Sequence, residues 1–244
     1  MNDKISRPRQ AAVTAMLPSL SIFFPCHNEV QNIGPLVQRA LEVAPRVAER
    51  FEIIIVDDGS TDGTAELADE LARRHHAVRA VHNERNRGYG GALKRGFSEA
   101  RMDYVFFTDG DGQFDVAELE KLVQKVGQAD IICGFRIRRS DPFYRTINAK
   151  LYGAFIRLLF GLKLRDLDCA FKLIPRRVLE AIELESEGAL ISAELMAKAR
   201  RAGFSYTEVG VHHYPRRYGE QSGAKLGVIL RMFWEVFKLW RKMR

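Results

Sequence analysis

Short apolar runs alternate with amphipathic stretches through the first 134 residues, and this alternation limits the chain to very few folds. Leu20–Phe24, Phe51–Val56, Ala77–Val81, Tyr104–Thr108 and Asp130–Cys133 are short, apolar and rich in β-branched or aromatic residues, as buried strands are. Between them, Asn32–Arg50, Asp62–Arg74, Gly90–Arg101 and Val116–Val126 carry apolar residues at helical spacing. Ile33, Leu36, Val37, Ala40, Leu41 and Ala44 form one such stripe. Strands alternating with helices of this length predict βαβ units, a mostly parallel sheet and helices on both of its faces. The chain has 244 residues, enough for one large domain with a small appendage. Residues 1–18 show no periodicity and are expected to form a flexible arm.

In open α/β sheets ligands sit at the carboxyl ends of the strands, so the residues there are the informative ones. The first run ends in Pro25-Cys26-His27-Asn28-Glu29, the second in Asp57-Asp58-Gly59-Ser60-Thr61-Asp62-Gly63, and the fourth in Asp109-Gly110-Asp111-Gly112-Gln113. Acids collected on one edge repel each other unless something lies between them. A divalent cation with a phosphate-bearing ligand resolves that conflict, and hard carboxylate oxygens suit Mg²⁺ or Mn²⁺. Asp109 and Asp111, one glycine apart in a tight turn, are the candidate pair. Asn86-Arg87-Gly88-Tyr89-Gly90-Gly91 opens a helix, where exposed N–H groups favour phosphate. GxGxxG spacing after the first strand and the GxxxxGK[ST] pattern are both absent, which excludes a Rossmann dehydrogenase and a P-loop enzyme.

The formal net charge of +7 is unevenly spread. Gly134–Arg165 holds eight basic residues against one acid, and Arg200–Arg244 holds ten against three, so the rest of the chain is acidic. Basic segments of this kind point to an anionic partner. No zinc finger, RNP signature or basic recognition helix appears, so nucleic acid is not expected. Leu226, Ile229, Leu230, Phe233, Phe237 and Trp240 repeat at helical spacing among Arg231, Lys238, Arg241, Lys242 and Arg244. This pattern suits a helix lying in an anionic membrane interface, and residues 146–164 form a second apolar helix of that type; packing on the sheet or at a dimer contact is the alternative for both. No uncharged apolar stretch reaches 18 residues, and no apolar run of a secretory signal precedes Pro18. Cys26, Cys133 and Cys169 have no CxxC spacing, which argues against zinc or a disulfide framework and fits a reducing compartment.

Taken in order and spacing, PCHNE, VDDGSTDGT, NRGYGGA and DGDGQ resemble the nucleotide-sugar domain of inverting family-2 glycosyltransferases of the GT-A fold. The similarity is greatest to the dolichol-phosphate mannose synthase group and covers residues 20–223. The resemblance implies a GT-A domain over 19–223, with a nucleotide-sugar half at 19–134 and an acceptor half at 135–223, followed by a basic amphipathic helix at 224–244. It implies that Glu29 and Asp57 hold the nucleoside and that Asp58 supports the same pocket. Pro25, Gly88 and Gly110 belong to the same donor-binding motifs. Asp109 and Asp111 become the metal-associated pair, with Asp111 nearest the ion and Gln113 beside it and the diphosphate. In the acceptor half, Asp168 and Lys172 of the Asp-Cys-Ala-Phe-Lys segment and Glu194 in Ile-Ser-Ala-Glu-Leu occupy functional places. Asp168 and Glu194 are the candidates for a base. The late RxxGxSK motif is altered here to Arg216-Arg217-Tyr218-Gly219-Glu220-Gln221-Ser222, which leaves open whether Arg216 or Arg217 takes phosphate, with Ser222 following.

The function these residues imply is metal-dependent, inverting transfer of a hexose from a UDP- or GDP-sugar to a polyprenyl phosphate. The enzyme would sit peripherally on the cytoplasmic face of a membrane, its oligomeric state open. A soluble enzyme of the same fold with a saccharide or other hydroxyl acceptor is the nearest rival. A sugar nucleotidyltransferase and a non-catalytic nucleotide binder are more remote.

Overall fold

The computed structural model of the protein describes residues 16–137, 153–218, 234 and 236–243. Seven strands form one sheet in the order β3-β2-β1-β4-β6-β5-β7. They are β1 (Leu17–Cys26), β2 (Ala48–Asp57), β3 (Val78–His82), β4 (Tyr104–Thr108), β5 (Ile131–Arg136), β6 (Phe171–Pro175) and β7 (Tyr206–Val211). The helices are α1 (Val30–Val47), α2 (Thr64–Arg74), α3 (Gly88–Glu99), α4 (Leu119–Val123), α5 (153–160), α6 (Arg176–Glu180), α7 (Ile191–Arg201) and α8 (236–242). β6 pairs antiparallel with both β4 and β5, and every other neighbouring pair is parallel. Six strands therefore point one way, and their carboxyl ends share an edge with the start of β6.

β1 and β2 are buried at successive positions, so both of their faces are covered, as the continuous apolar runs Ile22–Phe24 and Ile53–Val56 require. The core is one cluster centred on these strands, with Phe23 stacked on Phe107 at 5.5 Å and Phe106 edge-on to Phe171 at 4.6 Å. The pairing extends further than the periodicity suggests. Leu17 pairs with Ala48 and Ser19 with Arg50, so the strand begins inside the expected arm and the helix expected to reach Arg50 ends at Val47. Ladder hydrogen bonds outweigh local helical spacing there. Pro25 lies within β1, not after it, because pairing with β4 ends at Phe23–Phe107 and its missing N–H is not needed. The helix expected over Val116–Val126 is a 3-10 turn, Val116–Glu118, running into the single turn and a half of α4.

α8 departs from the expected amphipathic pattern. Val236 and Leu239 are buried in the core cluster, whereas Phe237 is 37% and Trp234 66% exposed. Lys242 Nζ pairs with Glu185, pinning the helix end to the loop before α7. Packing and an exposed aromatic face coexist on one helix. The arm residues 1–15, most of the stripe from Leu226 to Phe233, the part of the second apolar helix before residue 153, and Ser222 lie outside the described residues. Among the described residues no helix is long and apolar enough to cross a membrane.

Candidate active site

Two loops at the ends of β1 and β2 are laced together by short polar side chains. Asn28, the single non-glycine residue with positive φ (58°) among those described, donates its N–H to Ser60 Oγ at 2.9 Å and accepts Thr61 N–H on Oδ1 at 2.8 Å. Thr64 Oγ1 accepts Glu29 N–H at 2.8 Å, and Asp62 Oδ2 accepts Val30 N–H at 3.2 Å, so the second loop caps the start of α1. Asp57, buried, accepts Ser60 N–H at 3.1 Å and faces His82 Nδ1 at 3.1 Å. Burial opposes charge on His82, but its bonds to Asp57 and Asp69 outweigh this and raise its pKa. Asp58 Oδ1 accepts Asn83 Nδ2 at 2.7 Å and Arg87 N–H at 2.9 Å. Asp58 thus ties the end of β2 to Asn83 and to the start of α3.

The DGDGQ turn leaves β4 and folds against β1. Gly110 N–H donates to Pro25 O at 3.2 Å, and a Cβ at Gly110 would lie 2.5 Å from Cys26 Sγ, so no larger residue fits. Asp109 Oδ1 is buried and has no hydrogen-bond partner among the described residues. Burial, then the neighbouring charge of Asp111, pushes the Asp109 carboxyl up to about 7, against the Tyr89 hydroxyl that donates to it and the charges of Lys172 and Arg136. Asp111 is also raised, by burial, although Gln113 N–H bonds it at 3.0 Å and Arg216 and His213 oppose the shift.

Arg216 closes this cluster. Its Nη2 lies 2.5 Å from Glu29 Oε1 and its Nη1 3.6 Å from Asp111 Oδ2. Glu29 also accepts Asn32 Nδ2 at 2.6 Å, yet burial raises its pKa. Glu29 and Asp111 thus meet at Arg216, and the charges of Glu29, Asp57, Asp109 and Asp111 are all felt at the Cys26 thiol, whereas Arg217 is exposed. An orphaned buried carboxylate oxygen beside a second acid fits a divalent cation. Among the described residues no three His, Cys, Asp or Glu side chains form a metal-binding group, so such a cation would draw its other ligands from the donor phosphates and water. Gln113, expected beside the ion, donates its side-chain amide to Tyr214 O at 2.9 Å.

Around α3, α7 and β6, groups expected at the site are held by partners within the fold. The start of α3 does not offer its amides to phosphate: Gly90 N–H donates to Glu187 O at 2.7 Å and Gly91 N–H to the same oxygen at 3.3 Å. Gly88, at φ 76°, and Gly90 are needed for that close approach, since a Cβ on Gly90 would meet Ser186 O at 2.5 Å. Glu194 is fully buried in α7, where its carboxylate accepts the N–H groups of Glu185 at 3.0 Å and Ser186 at 2.8 Å and pairs with Lys198 at 2.7 Å. Burial opposes its ionisation, but those partners hold it below the usual carboxylate range, and through them it braces the loop under α3. Lys172 is fully buried on β6; its ammonium donates to Leu167 O at 3.0 Å and to Cys169 O, and its charge is felt at Asp109. A lysine that folds the 166–170 loop inward is a packing element.

Asp168 stands exposed on that loop, with its charge felt at the Tyr89 hydroxyl. The residue two positions earlier, which the spacing did not single out, is the more tightly held: Asp166, buried, takes a two-pronged bond from Arg136, Nε at 2.6 Å and Nη2 at 2.7 Å. Arg136 ends β5, inside the basic segment that charge counting had marked. His213, after β7, was also missed; its ring packs on Phe114 at 5.0 Å and its charge reaches Asp111.

The chain matches the family described as Glycosyl transferase family 2 over residues 21–183. It belongs to that family. It is 33% identical over 242 residues to glycosyltransferase AglD of Haloferax volcanii, covering 95% of this chain and 38% of that protein. It is 29% identical to the undecaprenyl-phosphate 4-deoxy-4-formamido-L-arabinose transferase of Pseudomonas fluorescens, covering 88% of this chain and 62% of that protein. A solved glucosyl-3-phosphoglycerate synthase from Mycobacterium tuberculosis, in complex with Mn²⁺, UDP and glucosyl-3-phosphoglycerate, superposes with a TM-score of 0.67 at 20% identity, covering 96% of this chain and 84% of that one. This likeness shows the GT-A fold. The chain spans less than two thirds of the length of the two curated relatives named.

Proposed function

We propose that this chain transfers a hexose, with inversion, from a UDP- or GDP-sugar to a polyprenyl phosphate. The observation that carries the reading is the strand-end cluster, in which Glu29 and Asp111 share one arginine, Asp109 lies beside Asp111, and among the described residues the Asp109 Oδ1 has no hydrogen-bond partner. The names of the relatives support the acceptor class: one is a transferase to undecaprenyl phosphate, and another, 31% identical over 82% of this chain, is the dodecaprenyl-phosphate galacturonate synthase of Rhizobium johnstonii.

Asp57, at the end of β2, would hold the ribose, and Asp58, bonded to Asn83 and Arg87, would keep that strand end in place. Asp109 and Asp111 would hold Mg²⁺ or Mn²⁺, which when bound screens the charge of the diphosphate. Arg216, already between Glu29 and Asp111, would follow the charge that develops on the leaving phosphate. A phosphate monoester is ionised at neutral pH, so its attack on the anomeric carbon needs orientation more than a base. Basic groups of the second half would supply that orientation, and Asp168 is then spared the role of base that a hydroxyl acceptor would place on it. The test is incubation with labelled UDP- and GDP-sugars, polyprenyl phosphate and Mg²⁺ or Mn²⁺, followed by extraction. Label in the organic phase is the expected result; label found only in a water-soluble product would overturn the lipid acceptor.

The outward face of α8 supports a peripheral membrane contact. Trp234, Phe237 and Trp240 form a ladder with ring centroids 6.3 and 5.7 Å apart, beside exposed Lys238 and Arg241. On α5, Leu158 is 80% exposed next to Arg157. Trp234→Ala/Phe237→Ala is expected to weaken partition onto anionic vesicles at least tenfold, since half-inserting two rings hides on the order of 100 Å² at about 25 cal/mol per Å². Co-sedimentation measures it, and unchanged partition would return the ladder to a protein contact.

A further inference from the structure

We propose that Glu118 is a positioning residue that fixes the segment after β7 on the acidic turn, and so sets where His213 and Arg216 meet Asp111. The proposal rests on the reading above, because that placement matters only if the turn receives a cation-bound diphosphate.

Two fasteners join these segments. Gln113 and Tyr214 exchange bonds, Tyr214 N–H to Gln113 O at 2.8 Å and Gln113 Nε2 to Tyr214 O at 2.9 Å. Two residues back along the incoming chain, Glu118 takes His212 by backbone and side chain together: Oε2 accepts the His212 N–H at 2.9 Å, and Oε1 meets His212 Nδ1. Glu118 is itself buried at the end of the 3-10 turn, and Lys121 Nζ braces Oε2 at 3.0 Å. The residue between the fasteners is His213, lying on Phe114, and two residues beyond the second is Arg216. The Gln113 fastener starts on the turn itself, where the Gln113 N–H also bonds Asp111, whereas Glu118 and His212 are not among the acids and the arginine of the site. A carboxylate that grips both a main-chain amide and the adjoining ring fixes a strand end in two directions, which an apolar contact would not do. Burial works against the Glu118 charge, and these partners still hold its pKa low.

Glu118→Ala removes both grips and leaves Gln113–Tyr214 as the one fastener. Mn²⁺ affinity of the full chain, read from the free-ion EPR signal with no donor added, should then fall on the order of tenfold, and the donor KM should rise by a similar factor with a smaller change in kcat. Glu118→Gln can accept the amide and donate to the ring, and is expected to recover both values to within about threefold. His212→Ala, at an exposed side chain, removes the ring grip alone and is expected to weaken Mn²⁺ about threefold. Unchanged Mn²⁺ affinity and donor KM in Glu118→Ala would overturn the proposal. If Glu118→Ala does not fold, His212→Ala decides: weakened Mn²⁺ sustains the proposal and wild-type affinity overturns it. A wild-type chain that binds Mn²⁺ and transfers sugar keeps the functional reading standing whichever way these variants fall.

Discussion

Replacing Asp111 by Asn is expected to lower kcat/KM for sugar transfer on the order of a thousandfold while the protein stays folded. The carboxylate has two partners, the Gln113 N–H at 3.0 Å and the Arg216 guanidinium at 3.6 Å. An Asn side chain retains an oxygen for the first, so the turn keeps its shape. It loses the charge that faces the second and that a divalent cation would need. Removing a single preorganised stabiliser of transition-state charge costs roughly 10²–10³, and here the cation and the arginine are disturbed together. Burial already raises the Asp111 pKa, so removing its charge relieves the fold. Transfer assays run beside thermal melts separate the two effects. Wild-type turnover in Asp111→Asn would refute the assignment of the turn to the metal and diphosphate.

How far the residues announced all this depends on which part of the chain is considered. β1, β2 and β4 were legible because a strand covered on both faces leaves an unbroken apolar run, and their polar ends could then be placed on one edge by topology alone. β6 was not legible. Its second residue is Lys172, and a charged residue inside a five-residue run hides a strand whose lysine turns inward to hold the carbonyls of Leu167 and Cys169. Once β6 is inserted between β4 and β5, the Asp166 loop and Arg136 arrive at the site, and neither could be found without that pairing. The start of α3 misled for a related reason. Its glycines look like a phosphate cradle, but the loop that fills it comes from Ser186 and Glu187, about a hundred residues away in sequence. Local pattern reports what a segment could do, and long-range packing decides which of those groups are still available. The arginine pair illustrates the limit: Arg216 and Arg217 are equivalent in composition, and only the direction of the chain after Tyr214 sends the first toward Glu29.

Asp109→Asn is expected to make the cation-free protein more stable above neutral pH, although it should also abolish transfer. The Asp109 carboxyl titrates near 7 in the fold instead of near 3.8 because it is desolvated beside Asp111. Between those values the folded state binds the proton more tightly than the unfolded chain does. Stability therefore falls as pH rises from about 4 to about 7, and the loss is complete above that. The full difference corresponds to about 4 kcal/mol. Asp109 as a residue is partly exposed, so solvent screening brings this to about 2 kcal/mol. The new amide would leave a donor where Oδ1 now has no partner, which costs about 1 kcal/mol. A net gain of about 1 kcal/mol, or ~3 °C in Tm, is expected at pH 8, shrinking to nothing near pH 5. Thermal melts of wild type and variant at pH 5, 6.5 and 8 without metal measure it. A variant less stable at pH 8, or an advantage that does not grow with pH, would mean that the Asp109 carboxyl is not held against its charge. A Mn²⁺ titration at pH 8 completes the test: the cation should raise the Tm of the wild type and leave the variant where it was, because the acid that strains the empty fold is the one the ion would relieve.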